Sequence, residues 1–189
     1  MKPLPAMASQ PPGAGTGPAL SPGNSVDNLS ASIFRAAYEK ALGQGAPQAV
    51  PLKFFADDRG WSLMNLFAGV LEGGQCNYSL LYPGVFKAWH RHRKQTDIWV
   101  ILHGMAKLGV FDERRRDEDG YRGHTFIVGE KSPHALIIPP PLWHGLTCVG
   151  DAPCGLLYYV TEEYDPQSPD EERVAYDTFT TFRWEVEHK

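Results

Sequence analysis

Two histidines one residue apart, His90 and His92, are followed five positions later by Asp97 in the run GVFKAWHRHRKQTDIWVILHG. If residues 86–92 form a β-strand, side chains two apart share a face, so both imidazoles point into one space. Asp97 then opens the next strand. Two imidazoles and a carboxylate converging from adjacent antiparallel strands are three legs of a divalent metal site. His144, in IIPPPLWHG, is the candidate for the fourth. The same residues can do acid–base chemistry without an ion, because histidine has the near-neutral pKa needed to take a proton from a carbon next to a ketone. A ligating imidazole has no lone pair left to act as base. The two chemistries therefore compete at His90.

Such a constellation needs strands to carry it. From about residue 52, apolar residues recur near alternate positions in short runs punctuated by Gly and Pro, which predicts strands over 52–55, 61–67, 75–81, 85–92, 98–103, 107–111, 125–128, 136–138, 146–149 and 156–160. A turn at 57–60 makes the first two a hairpin. Many short strands with little helix between them indicate an antiparallel sandwich or barrel. Ahead of it, Asn28 or Asp27 caps a helix in which Leu29, Ile33, Phe34, Ala37, Ala41 and Leu42 recur at helical spacing, and Gly43, Gly45 and Pro47 end it. That helix packs either on the outside of the barrel or at a subunit contact. Residues 1–24 hold six prolines and almost no large apolar side chains, so they are expected to be disordered. The organisation read from the chain is a tail over 1–24, a helix and linker over 25–48, and a barrel with a C-terminal extension over 49–189. The extension turns polar after Tyr164 and is read as irregular, with one strand near 179–186.

A chain of 189 residues has room for one domain with its own core. The net charge of -4, with no long basic run, argues against nucleic acid as a partner. Arg114, Arg115 and Arg116 are flanked by Asp112, Glu113, Asp117, Glu118 and Asp119, which reads as a solvated hairpin tip. No apolar run approaches the ~20 residues needed to span a bilayer, so no membrane partner is expected. Cys76, Cys148 and Cys154 are an odd number, and the N-terminus lacks the apolar h-region of a signal peptide, so a reducing cytoplasm and small core cysteines are expected. His103, His124, His134 and His188 show no partner spacing and read as surface or loop residues. Trp89, Trp99 and Trp143 read as core anchors before they read as stacking platforms.

The spacing G-x5-H-x-H-x4-D-x6-G, from Gly84 through His90, His92 and Asp97 to Gly104, resembles the first signature motif of the cupins, with Asp97 where glutamate is usual. Pro139, Pro141 and His144 follow the second motif, with Pro141 in place of its glycine and Cys148 in place of its asparagine. FFADDRG, GVFKAWH, IIPPPLWHG and LLYYVTEEYDP, spread over about residues 54–177, resemble segments of the dTDP-4-dehydrorhamnose 3,5-epimerases, and in particular a branch with W-H-x-H-x-x-Q-T-D, here Trp89 to Asp97. The resemblance implies an all-β cupin fold, an RmlC-like jelly-roll barrel, acting on a carbonyl-bearing nucleotide sugar without a cofactor. It places Arg59, Gln75, Asn77 and Lys87 along the nucleotide and diphosphate path. His90 becomes the general base, Tyr158 the acid on the opposite face of the sugar ring, and His144 a sugar contact. It also implies a homodimer paired through edge strands.

Two of that family's catalytic positions differ. Its lysine, which stabilises the enolate, is replaced by Asp97, whose carboxylate repels an enolate. Its aspartate that orients the histidine has no counterpart. A divalent transition metal held by His90, His92, Asp97 and His144 would use the charge of Asp97 and polarise a carbonyl instead. Three functions stay open: a nucleotide-sugar epimerase, a metal-dependent cupin isomerase or oxygenase, and a nucleotide-sugar-binding module without chemistry.

Overall fold

In the run DIWVI at 97–101, successive side chains point to opposite faces, and every one of the five is buried. A strand of this kind must be covered on both sides. A computed structural model, which describes residues 25–64, 66, 67, 69–117 and 120–186, shows what covers it. The element order is helix α1 (Ser25–Gln44), β1 (Gln48–Pro51), β2 (Lys53–Asp57), β3 (Gly60–Met64), β4 (Gln75–Leu81), β5 (Phe86–Arg91), β6 (Asp97–His103), β7 (Met105–Asp117), β8 (Gly120–Gly129), β9 (His134–Ile138), β10 (Trp143–Cys148), β11 (Cys154–Val160) and β12 (Glu172–Arg173). One five-stranded sheet has the order β1-β9-β6-β11-β4 and the other β12-β5-β10-β7-β8, with β2-β3 as a separate hairpin. This is the jelly-roll barrel expected from the cupin resemblance.

Three apolar clusters follow from the alternation. Trp99, Ile101, Leu108, Leu136, Leu146 and Leu156 pack between the sheets. Ile98, Val100, Ala135, Ile137 and Tyr159, on the other face of the first sheet, are covered by Phe34 and Ala41 of α1. The helix thus lies on the outside of the barrel. Of its predicted apolar stripe, Ile33 and Leu42 are exposed, and Leu29 has no described side chain. Trp89, Phe111 and Trp143, on the outer face of the second sheet, are covered by Phe179 and Trp184.

That last cluster corrects the strand expected near 179–186. The segment runs through turns instead, and the spacing of Phe179, Phe182 and Trp184 reflects rings settling onto Trp89 at centroid distances of 5.2, 5.1 and 4.8 Å. Cys76 is also corrected: it sits on the outward face of β4 and is exposed, whereas Cys148 and Cys154 are buried as expected. Towards the hairpin tip Glu113, Arg114 and Arg115 are exposed as expected, with one exception at its base. Asp112 is buried and accepts hydrogen bonds from Arg114 Nε at 2.7 Å, Nη2 at 3.0 Å and its backbone N–H at 3.1 Å. The tail over 1–24 and His188 lie outside the described residues. Among those residues, no helix is long and apolar enough to cross a membrane.

The glycines of the first motif have a physical reason. Gly84 and Gly104 bound the pair β5 and β6, and both have positive φ, at 80° and 67°, which a side chain disfavours. Gly109 has a different reason, since a Cβ there would meet the Trp89 ring and stand 2.8 Å from the Phe182 ring. Gly109→Ala is therefore expected to cost roughly 1–3 kcal/mol by overpacking, read as a lower urea midpoint. An unchanged midpoint would mean the aromatic cluster yields freely.

Asp112 gives a pH test. Burial raises its carboxyl, but the Arg114 hydrogen bonds outweigh burial and hold it below the ordinary range. A depressed carboxyl contributes stability that is present above its unfolded value, about 3.9, and is lost as pH falls through the folded one. The stability difference between the parent and Asp112→Asn should be largest near neutrality and shrink below about pH 4. Parallel urea titrations check it.

Candidate functional site

β10 pairs with β5 so that His144 stands directly opposite His90. Asp97 opens β6 in the facing sheet, and His92 follows the last residue of β5. The structure thus brings together all four residues singled out by spacing. All four are buried, and one ligand-type atom from each lies within 4.8 Å of the others.

The hydrogen bonds around them fix which atoms face inward. His144 Nδ1–H donates to the Leu142 carbonyl at 2.9 Å, and His92 Nδ1–H donates to the Asp170 carbonyl. A carbonyl only accepts, so each Nδ1 carries the hydrogen and each Nε2 presents a lone pair to the cluster. This outer-shell arrangement is the one that orients metal-ligating histidines. His144 Nε2 is buried without a hydrogen-bond partner and lies 3.5 Å from Asp97 Oδ2. A lone pair and a carboxylate oxygen face each other there, and a cation between them would relieve the repulsion. Donors about 2 Å from one tetrahedral ion lie roughly 3.3 Å apart. The residues therefore fit a divalent transition metal.

Burial raises the Asp97 carboxyl, and donating or positively charged partners, His144 first, then His92 and the Gln95 amide, bring it well below the carboxylate range; the two rings act in that sense only when protonated. Trp99 Nε1–H also donates to Asp97 Oδ2 at 2.9 Å. His90 is pushed well below the usual histidine value, first by burial and then by His144. It is neutral at pH 7, as both a base and a ligand must be.

His90, His92 and Asp97, but not His144, line a cavity of about 550 Å³, a size suited to a small-molecule site. Gln75 and Asn77 from β4, Lys87 from β5 and Tyr158 from β11 line its walls. The Lys87 Nζ lies 3.3 Å from Ser79 Oγ and 5.0 Å from the centre of the Tyr158 ring. Burial, and then Arg173, lower the Lys87 pKa. Strict alternation would put Lys87 and His90, three residues apart, on opposite faces. A bulge resolves this: His144 pairs with His90 but Leu146 with Lys87, so three residues of β5 span two of β10.

Sequence reasoning missed the far wall. Residues 162–165, 168, 170, 171 and 173 line the cavity, and the segment's β12 pairs with β5 at Arg91 and His90. Arg91 pins this strap by a hydrogen bond from Nη2 to Glu172 at 2.7 Å. The polar composition of that stretch gave no sign of a site. Arg59, expected on the nucleotide path, is not among the cavity-lining residues. It lies at the β2-β3 turn with its side chain 86% exposed and bonded to Asp57. Trp89 and Trp143 are core anchors on the outer face, while Trp99 lies inside against His144, with ring centroids 5.0 Å apart.

Comparison with known proteins adds to this geometry. Residues 55–172 match the family described as the polysaccharide biosynthesis C-terminal domain. The spore coat polysaccharide biosynthesis protein SpsL of Bacillus subtilis is 36% identical over 138 residues, covering 71% of this chain and 91% of that protein. A Haloferax volcanii protein named "Probable low-salt glycan biosynthesis epimerase Agl13" is 42% identical over 101 residues, covering 53% of this chain and 65% of its own length. Among solved structures, a dTDP sugar isomerase from Desulfovibrio desulfuricans G20 superposes with a TM-score of 0.63 at 24% identity, covering 73% of this chain and 90% of that one. This last likeness concerns the fold.

Proposed function

The chain belongs to the polysaccharide biosynthesis C-terminal domain family of RmlC-like cupins, and from that premise we propose that it is an epimerase or isomerase of a carbonyl-bearing nucleotide sugar. The observation that carries the reading is the buried quartet His90, His92, Asp97 and His144, the first three of which line a cavity walled by Lys87 and Tyr158. Epimerisation next to a ketone needs a base, an acid on the other face and an electrophile for the enolate.

The confronted lone pairs of His144 and Asp97 favour the metal-assisted form of this reading. A divalent transition metal bound by the quartet would supply the electrophile by polarising the sugar carbonyl. Lys87 and Tyr158 then handle the proton. The Tyr158 hydroxyl, on the cavity wall, holds it, and the depressed pKa of Lys87 brings its amine closer to exchange at neutral pH. In the cofactor-free form, His90 takes the proton and Tyr158 returns one. Gln75 and Asn77 orient the nucleotide end in both.

The reading includes a cytoplasmic homodimer. Tyr78 and Leu80 are exposed on edge strand β4, and Phe54, Phe55 and Trp61 on the β2-β3 hairpin, an apolar surface of the kind that a second copy covers. Arg59 at the hairpin tip then serves a site on the partner copy. The three free thiols suit a reducing compartment.

Protein purified without chelator or a histidine tag is expected to carry about one equivalent of transition metal, lost in His92→Ala and kept in Lys87→Ala. Equal content in His92→Ala and the parent, measured by elemental analysis, would overturn the cation site. Tyr158→Phe should slow solvent-deuterium incorporation into a 4-keto sugar nucleotide by about 100-fold or more while binding survives. An unchanged exchange rate removes Tyr158 from the chemistry. Nucleotide binding with no exchange into any 4-keto sugar would identify a binding module instead.

A further inference from the structure

The Q-T-D end of the histidine motif contains one residue with no part in the chemistry above. Gln95 Nε2 lies 2.6 Å from Asp97 Oδ1 and 3.1 Å from His92 Nε2. Asp97 Oδ1 is a carboxylate oxygen with Gln95 Nε2 at hydrogen-bond distance, and the hydrogen of the His92 ring is committed to the Asp170 carbonyl. Both groups facing Gln95 are therefore acceptors, and a carboxamide nitrogen has two hydrogens to give. The opposite amide orientation would set Oε1 against a carboxylate and a lone pair.

The placement of Gln95 is enforced from outside. The backbone N–H groups of Arg93, Lys94 and Gln95 donate to the Asp170 carboxylate at 3.0, 2.9 and 3.0 Å, and that of Thr96 donates to Thr161 Oγ1 at 2.9 Å. The turn between β5 and β6 is thus clamped by the strap, and the Gln95 side chain is delivered to the edge of the quartet.

We propose that Gln95 is a positioning residue whose amide stands in for a cation in the metal-free protein. It holds His92 Nε2 and Asp97 Oδ1 in a ligating arrangement and gives up both acceptors when a divalent ion arrives. The proposal rests on the cation reading of the quartet. Its consequence is competition: the hydrogen bonds of Gln95, one of them to a charged acceptor, must break before the ion binds.

The test uses the full chain stripped of metal, with Zn2+ as probe, titrated in competition with a chromogenic chelator. Gln95→Ala, and Gln95→Met as a variant that keeps the side-chain length, should bind Zn2+ about tenfold more tightly than the parent. Both should melt earlier than the parent without metal and together with it at saturating Zn2+. Equal affinity would overturn the proposal, and weaker affinity would do so by making Gln95 a ligand. A melting temperature lowered equally with and without Zn2+ would reduce Gln95 to a structural residue. Zn2+ binding by the parent with no change in the variants removes this proposal alone, whereas no binding by any of them removes the cation reading with it.

Discussion

The structure depends on keeping one carboxylate charged inside a barrel. Asp97 is 2% exposed, between two sheets whose other contacts are almost entirely apolar. An unpaired charge there would cost several kcal/mol. Two nearby donors are committed to it. The Trp99 indole and the Gln95 amide donate to it, while backbone carbonyls hold the far sides of the His92 and His144 rings so that their lone pairs turn inward. The result is a group of donors with an excess of electron density, backed by hydrocarbon and facing a polar cavity.

Packing on the outer faces makes this enclosure rigid. β6 is covered by α1 on one side and by the barrel interior on the other. β5 is backed by Trp89 and the rings of the C-terminal segment. Neither strand can relax toward water, so His90 on β5 and Asp97 on β6 stay close without the mobility that an exposed sheet allows. The cavity above is then the one direction left for a ligand to approach.

The residues that lie close in sequence were legible, and those joined by tertiary contact were not. Spacing alone placed His90, His92 and Asp97 together because period-two geometry is a property of any strand. His144 came from a second motif. The Lys87 position contradicts that same periodicity, since the bulge that turns it inward depends on the pairing of β5 with β10. Asp170 and Arg173 lie about 80 residues beyond the histidines in a stretch with no strand signature, and they reach the site only by the return of the chain across β5. The aromatic residues at 179–184 misled in the opposite direction. Their spacing looked like a strand but is that of side chains filling a surface prepared by Trp89, with no ladder to join. Cys76 shows the limit of residue-type averages, because its place on an outward face of an edge strand follows from topology and not from its chemistry.

The return of the chain onto β5 has a consequence for synthesis on the ribosome. β5 is made about 80 residues ahead of the segment that, among the described residues, covers its outer face with Val174, Phe179, Phe182 and Trp184 and its edge with β12. Until those residues leave the exit tunnel, the strand with both motif histidines has an open edge and an uncovered tryptophan. Completion of the site coincides with completion of the chain segment that covers it.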